Sequence, residues 1–288
     1  MLNRFALVFL FLVIFSLPLN AEPAAWQVDG EKGTLIVFGT MHRLPDGADW
    51  LSENLEDYLK NSRLLVLETK SSQASDDYLG YLIRQPGVVK SKKRLKKRLN
   101  EDDYQTFLSR VSLFDFSEKE VAYYRPWFAA LLLARLGGDE AGLERGFGVE
   151  ETLVSLSDNL GLEVIGLESP GQQFIIFSTL PKKVELAWLE KTLRRKEGNG
   201  TRSKSLYSFW MAGDLVAIEN QVLGSLRETP GLYKAFIKDR NETWAEQMEF
   251  LLREGGQVFI AVGTAHMVGE DSVLKMLEAR GYKVTRLQ

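Results

Sequence analysis

Cysteine is absent from this 288-residue sequence, and histidine occurs only twice, at His42 and His266. Without cysteine there is no disulfide framework, no thiolate nucleophile and no cysteine-based zinc site. A surplus of positive charge is also missing: 36 Lys and Arg stand against 39 Asp and Glu, which argues against nucleic-acid binding. There is no Gly-x-Ser-x-Gly elbow, no His-Glu-x-x-His helix and no phosphate loop. Gly146-Phe147-Gly148 is too short to be a dinucleotide loop. What remains is an ordinary folded composition, 45% hydrophobic and 26% charged, long enough to bury a large core. Any imidazole chemistry must use His42 or His266.

Residues 1–21 read as an export signal. Arg4 supplies the positive start, Phe5 to Phe15 is an apolar run of eleven residues, and Pro18 ends it ahead of Ala21. That run is short for a transmembrane span, which needs about 20 apolar residues. The competing reading is an uncleaved membrane anchor. A lipoprotein anchor is excluded, because it needs a cysteine. The expectation is a periplasmic or secreted protein, with residues 22–288 forming one domain and no span after cleavage.

The pattern beyond the signal alternates strands and helices. Thr34 to Phe38 is an apolar strand that runs into Gly39-Thr40-Met41-His42. Leu51, Leu55 and Leu59 mark a helix, and Leu64 to Leu67 is a strand ending at Glu68. Strand, helix, strand implies a parallel pair. Near the other end, Val258 to Val262 runs into Gly263-Thr264-Ala265-His266; a helix with Val273, Leu274 and Leu277 follows, then a strand from Tyr282 to Leu287. A further strand, Glu163 to Leu167, ends at Glu168. Helices are expected over 101–112, 119–137, 150–160, 170–197, 203–226 and 230–254. The expected fold is α/β: a mixed, mainly parallel sheet with repeated strand-loop-helix units and a large helical insertion.

Both histidines occupy one frame: apolar strand, Gly, Thr, any residue, His. Ligands of parallel sheets bind beyond the carboxyl ends of the strands, and glycine lets the chain turn there. Glu68 and Glu168 also follow strands, so four polar groups are expected at one edge. Two imidazoles and two carboxylates suit a divalent metal, Mn, Co, Fe or Zn, which would lower the pKa of bound water toward about 7. One glutamate could then act as general base. The metal-free alternative is a His/Glu pair doing acid–base chemistry directly. Arg125 begins a helix and could project into the site to bind a carboxylate or oxyanion. Trp127 reads as core, Arg240 as surface, and Glu150 as an acid favoured by a helix dipole. The run Lys90 to Arg98, seven cations in nine residues, is either a solvated segment or a contact for an anionic surface. Asn199-Gly-Thr201 and Asn241-Glu-Thr243 match the glycosylation sequon.

Taken together, these residues resemble the TraB/PrgY/GumN group, which includes the animal TIKI proteins. The matching motifs are the two Gly-x-x-His frames, Leu64-Leu-Val-Leu-Glu68, Arg125-Pro-Trp127, Gly148-Val-Glu150, Gly166-Leu-Glu168 and Asp239-Arg-Asn241. The chain is most similar to the GumN-like bacterial branch. The resemblance implies a fold related to ChaN and the erythromycin esterases. TIKI members are described as Mn- or Co-dependent proteases. By that likeness His42 and His266 would be metal-binding or catalytic, Glu68 and Glu168 their acidic partners, and Arg240 a polar contributor. The leading expectation is therefore an exported metal-dependent hydrolase (Mn, Co or Zn) that cleaves a peptide or protein substrate. In it His42, His266 and a glutamate hold the metal, and Arg240 or Arg125 steadies the oxyanion. The alternatives are a binding module for a peptide, metal or haem, and an accessory factor in exopolysaccharide or pheromone-related processes.

Overall fold

A computed structural model describes residues 22–143, 148–195 and 199–288. The expected signal segment and Gly146-Phe147 lie outside the described residues. The core is a six-stranded sheet: β1 (Ala25–Asp29), β2 (Gly33–Thr40), β3 (Leu64–Thr69), β4 (Glu163–Glu168), β5 (Gly256–Gly263) and β6 (Lys283–Arg286). Its spatial order is β4-β3-β5-β2-β1-β6. The pairs β3–β4, β3–β5 and β2–β5 are parallel, while β1 runs antiparallel to both β2 and β6. The mainly parallel sheet expected from the sequence is therefore present.

Alternation along the central strands divides the core. Leu35, Val37, Val66, Val258, Ile260 and Val262 face one way and pack with Trp244, Met248 and Leu252 of the helix Asp239–Glu254. Ile36, Phe38, Leu65, Leu67, Phe259 and Ala261 face the other, against Trp50, Leu55, Leu59, Leu153 and Trp210. Burial on both faces is why these strands read as unbroken apolar runs. Each fully buried aliphatic or aromatic side chain contributes roughly 1.5–3 kcal/mol. Two further clusters fill the helical portion, one around Tyr104, Phe107 and Leu133, the other around Trp127, Leu180 and Leu232.

Several elements differ from the sequence expectation. The stretch 170–197 divides into the helices Pro170–Ser178 and Lys182–Leu193, because Pro181 has no N–H to continue the ladder. The stretch 203–226 breaks after the helix Asn199–Met211. Gly213 there takes a positive φ of 61°, and Asp214 caps a new turn by accepting the Ala217 N–H at 2.9 Å. Two π-helical segments follow, Glu219–Leu223 and Lys234–Lys238. The sequence reading omitted β1, whose five residues AWQVD carry too short an alternation to stand out. It also omitted the helix Gln73–Arg84, which buries none of its residues. Among the described residues, no helix is long and apolar enough to cross a membrane.

Candidate functional site

The sheet register brings the two Gly-Thr-x-His frames together. Thr40 lies opposite Gly263 in the parallel β2–β5 pair, so His42 and His266 leave neighbouring strands at the same edge. The frames also lock to one another, because Thr264 Oγ1 donates to the Thr40 carbonyl at 3.1 Å. A Cβ at position 39 would come within 2.7 Å of Thr264 Oγ1, and one at position 263 within 2.8 Å of Glu68 Oε1. Each frame thus needs its glycine for close approach. Next to them β3 ends in Glu68 and β4 in Glu168, with Thr69 opposite Glu168 in the register.

Beneath this edge lies a buried ionic network centred on Arg240, which enters from the helix Asp239–Glu254. Its Nε donates to Glu168 Oε1 at 2.9 Å; NH2 donates to Glu68 Oε2 at 2.9 Å and to Glu168 Oε2 at 3.0 Å. Its guanidinium lies over the Trp244 ring, 4.5 Å from the centroid, while Trp244 Nε1 donates to Glu168 Oε1 at 2.9 Å. The remaining Glu68 oxygen, Oε1, accepts the Gly263 N–H at 2.8 Å. Burial pushes the Glu68 carboxyl up. The charges of His42 and Arg240 and the Gly263 N–H outweigh it and hold the carboxyl below its ordinary value.

His266 is buried and its tautomer follows from its partners. Asn241 Nδ2 donates to the Asp271 carbonyl at 2.7 Å, which leaves Asn241 Oδ1 to accept from His266 Nδ1–H at 2.6 Å. His266 Nε2 then offers its lone pair to Arg240 NH1 at 3.1 Å. Burial is the main reason its pKa falls to about 3, against the opposing pull of Glu68. The unfolded chain takes up this proton near its ordinary value of 6.5 while the folded chain stays neutral, so acid favours unfolding from pH 6.5 downward. Glu68 adds loss in the same direction from about pH 4.5 downward, whereas the raised pKa of His42 gives stabilisation already complete below 6.5. Urea titrations should show His266 alone removing about 2 kcal/mol between pH 6.5 and 5. In His266→Gln that slope should flatten; an unchanged slope would refute the neutral buried imidazole.

His42 is placed differently. Its Nδ1 meets Glu150 Oε1 at 2.8 Å, and Thr40 Oγ1 donates to the same oxygen at 2.6 Å. Glu150 stands in the first turn of the helix Val149–Leu160. Among the described residues His42 Nε2 makes no hydrogen bond, and 65% of the side chain is exposed. The charge of Glu150 chiefly, with its hydrogen bond and Glu68, raises the His42 pKa above its ordinary value against Arg240; solvent at the exposed ring screens part of that pull. Glu150 is lowered in turn by His42 and Thr40 despite its own burial. A carboxylate that fixes one ring nitrogen and leaves the other open is the arrangement of a proton-transfer histidine.

This order of parts coincides with a family pattern: the TraB/PrgY/gumN family matches residues 24–286. The chain belongs to the TraB/PrgY/gumN family. No curated protein matches it.

Of the site residues expected in this TraB/PrgY/gumN chain, the fold gathers His42, His266, Glu68, Glu168 and Arg240 at one edge. Arg125 is not among them. Its guanidinium is engaged by buried Glu185 (Nε to Oε2, 3.0 Å) and by the Ser178 carbonyl at 2.8 Å, so it braces the helical portion. Arg240 is the reverse case, buried where a surface role was the simpler reading. Glu150, Asn241, Trp244 and Gln173 were not expected. Gln173 Nε2 reaches Glu68 Oε2 at 3.3 Å. The motifs Gly148-Val-Glu150 and Asp239-Arg-Asn241 contained two of them, but nothing local told a partner from a helix-start acid. Asn241, at 0% exposure, cannot accept a glycan.

The donor set can be tested for a divalent ion. His266 Nε2 is engaged by Arg240, and both Glu68 oxygens accept protein N–H groups. Among the described residues no three His, Asp or Glu side chains are placed to hold an ion. Arg240 supplies positive charge between the carboxylates where an ion bridging them would sit. As arranged, His266 Nε2 could join an ion only if Arg240 NH1 left it. In the basic run, Arg98 turns inward to Ser91 and Glu185, Lys96 pairs with Glu101, and Lys92, Lys93 and Lys97 stand exposed.

Proposed function

We propose that this protein is an exported hydrolase of peptide bonds, working at the sheet edge with His42 as its proton-transfer group. One observation carries the reading: the Glu150–His42 pair, in which Nε2 makes no hydrogen bond among the described residues, lines a groove of about 710 Å³. A cavity of that size lies within the range of small-ligand sites, about 300–1,000 Å³. In the proposed step water attacks the carbonyl carbon while His42 Nε2 takes its proton. Glu150 stabilises the resulting imidazolium, and Nε2 returns the proton to the leaving amine. Glu68, Glu168, Arg240 and His266 hold the two strand ends in place. Arg240, its N–H groups engaged, is a positioning residue here and not an oxyanion donor.

A metal-dependent form is the second reading. It is favoured by the convergence of Glu68 Oε1 and His42 Nε2 on Gly263, at 2.8 and 3.9 Å from the position a Cβ would take there. An ion using both histidines would have to displace Arg240 NH1. Digestion of a peptide library by purified protein, with added Mn or Co and with chelator, tests the hydrolase, and elemental analysis tests the ion. No cleavage under any condition would end the hydrolase reading; stoichiometric metal lost in His266→Ala would replace the first form by the second. The exposed lysines of the basic run are proposed to rest against an anionic surface.

Because His42 must be neutral to accept a proton, kcat/KM should rise with pH, with its midpoint above 6.5. Glu150→Gln removes the main cause of the raised value. Its midpoint should move to lower pH while the plateau falls. A lower plateau with an unmoved midpoint would assign Glu150 a merely structural part.

A further inference from the structure

His42 lines two cavities. One is the polar groove it shares with Glu68 and Glu150; the other is a smaller recess of about 160 Å³. The recess takes Leu206 and Trp210 from consecutive turns of the helix Asn199–Met211, and Ile218 and Val222 from the stretch that becomes π-helical. The widened turn Glu219–Leu223 is packed against the turn that carries His266. Departures from α geometry of this kind are frequent at functional sites.

The polar side chains in the wall other than His42 are already hydrogen-bonded. Trp210 Nε1 donates to the Gly39 carbonyl at 2.8 Å, Thr264 Oγ1 to the Thr40 carbonyl at 3.1 Å, and Thr40 Oγ1 to Glu150 at 2.6 Å. Of the side chains here, only His42 has a nitrogen left to offer. A charged or amide side chain entering the recess would lose its water and find only His42 Nε2 to pair with, whereas an apolar one would lose no hydrogen bond. An apolar cavity of about 150 Å³ accepts a benzene-sized guest. The recess therefore suits a side chain the size of leucine, methionine or phenylalanine.

We propose that this recess is a specificity subsite that receives a medium-sized apolar side chain of the peptide beside the bond served by His42. The inference rests on the hydrolase reading above and adds the substrate class to it.

Two measurements separate the claims. In the first, a peptide library randomised at each position is digested by wild type, Val222→Phe and Leu206→Ala. Wild type should favour Leu, Met or Phe over Asp or Lys at one position by at least about ten-fold. Val222→Phe, which fills the recess, should shift the preference to Ala or Gly. Leu206→Ala, which enlarges it, should shift it toward Phe and Trp. The variants change the volume in opposite senses, so a general loss of folding cannot imitate the pair. In the second, saturation-transfer NMR follows N-acetyl-leucine amide and N-acetyl-aspartic acid amide with no bond cleaved. Leucine amide bound by wild type and lost in Val222→Phe, without any peptide cleavage, would support the recess while ending the hydrolase reading. Cleavage with no apolar preference, or a preference that neither variant shifts, would overturn the subsite and leave the hydrolase standing. Neither cleavage nor binding would overturn both.

Discussion

Arg240→Met is expected to destabilise the protein by about 3–5 kcal/mol, the cost of leaving a buried ion pair without one partner. The effect should be large because one guanidinium serves two buried carboxylates, Glu68 and Glu168, and also touches His266. Methionine retains most of the volume and can set its thioether against Trp244, so the loss reports charge and hydrogen bonds more than packing. Arg240→Lys should fall between the two, since an ammonium cannot donate to both carboxylates through a planar fork. Urea unfolding at pH 7 measures it. Adding Glu68→Gln to Arg240→Met should return part of the loss, and the double-mutant cycle gives the coupling. A wild-type midpoint for Arg240→Met would mean that water reaches the carboxylates and that the network is not closed.

His42→Ala is expected to lower kcat on a cleaved peptide by about 10²–10⁴-fold, the usual contribution of a positioned acid–base group. Stability should fall far less than in Arg240→Met, because the ring is largely exposed and solvent screens its pairing with Glu150. The contrast with Arg240→Met is the point of the pair: one variant keeps its fold and loses turnover, the other loses its fold first. Undiminished turnover in His42→Ala would remove His42 from the mechanism.

The parts of the site legible in the sequence are those set by short range. Glu68, Glu168, His42 and His266 each follow an apolar run, and a run buried on both faces declares itself without knowledge of its neighbours. Parallel pairing then sends all four to one edge. The partners of these residues were not legible in the same way. Glu150 lies 108 residues from His42, and Arg240 lies 172 from Glu68, so only the assembled fold joins them. The π-helical segment Lys234–Lys238 also precedes Arg240 directly, and a widened turn shifts the helical phase from which its inward direction would be read. The fold shows the same division. β2, β3, β4 and β5 stand out as apolar runs, whereas the five residues of β1 are too few for their alternation to be distinguished.

The β2–β5 register has a kinetic consequence. Gly33 pairs with Gly256 and Thr40 with Gly263, so the two central strands close a loop that includes most of the chain. Closing loops of such span before any contact rewards it makes folding slow. A chain emerging from its N-terminus cannot join these strands until β5 has appeared. His42 therefore waits, exposed and unpartnered by its second frame, while the helical portion is free to collapse ahead of it. The edge that holds both imidazoles cannot be assembled before β5 is made, and a chain cut short before β5 would lose the site.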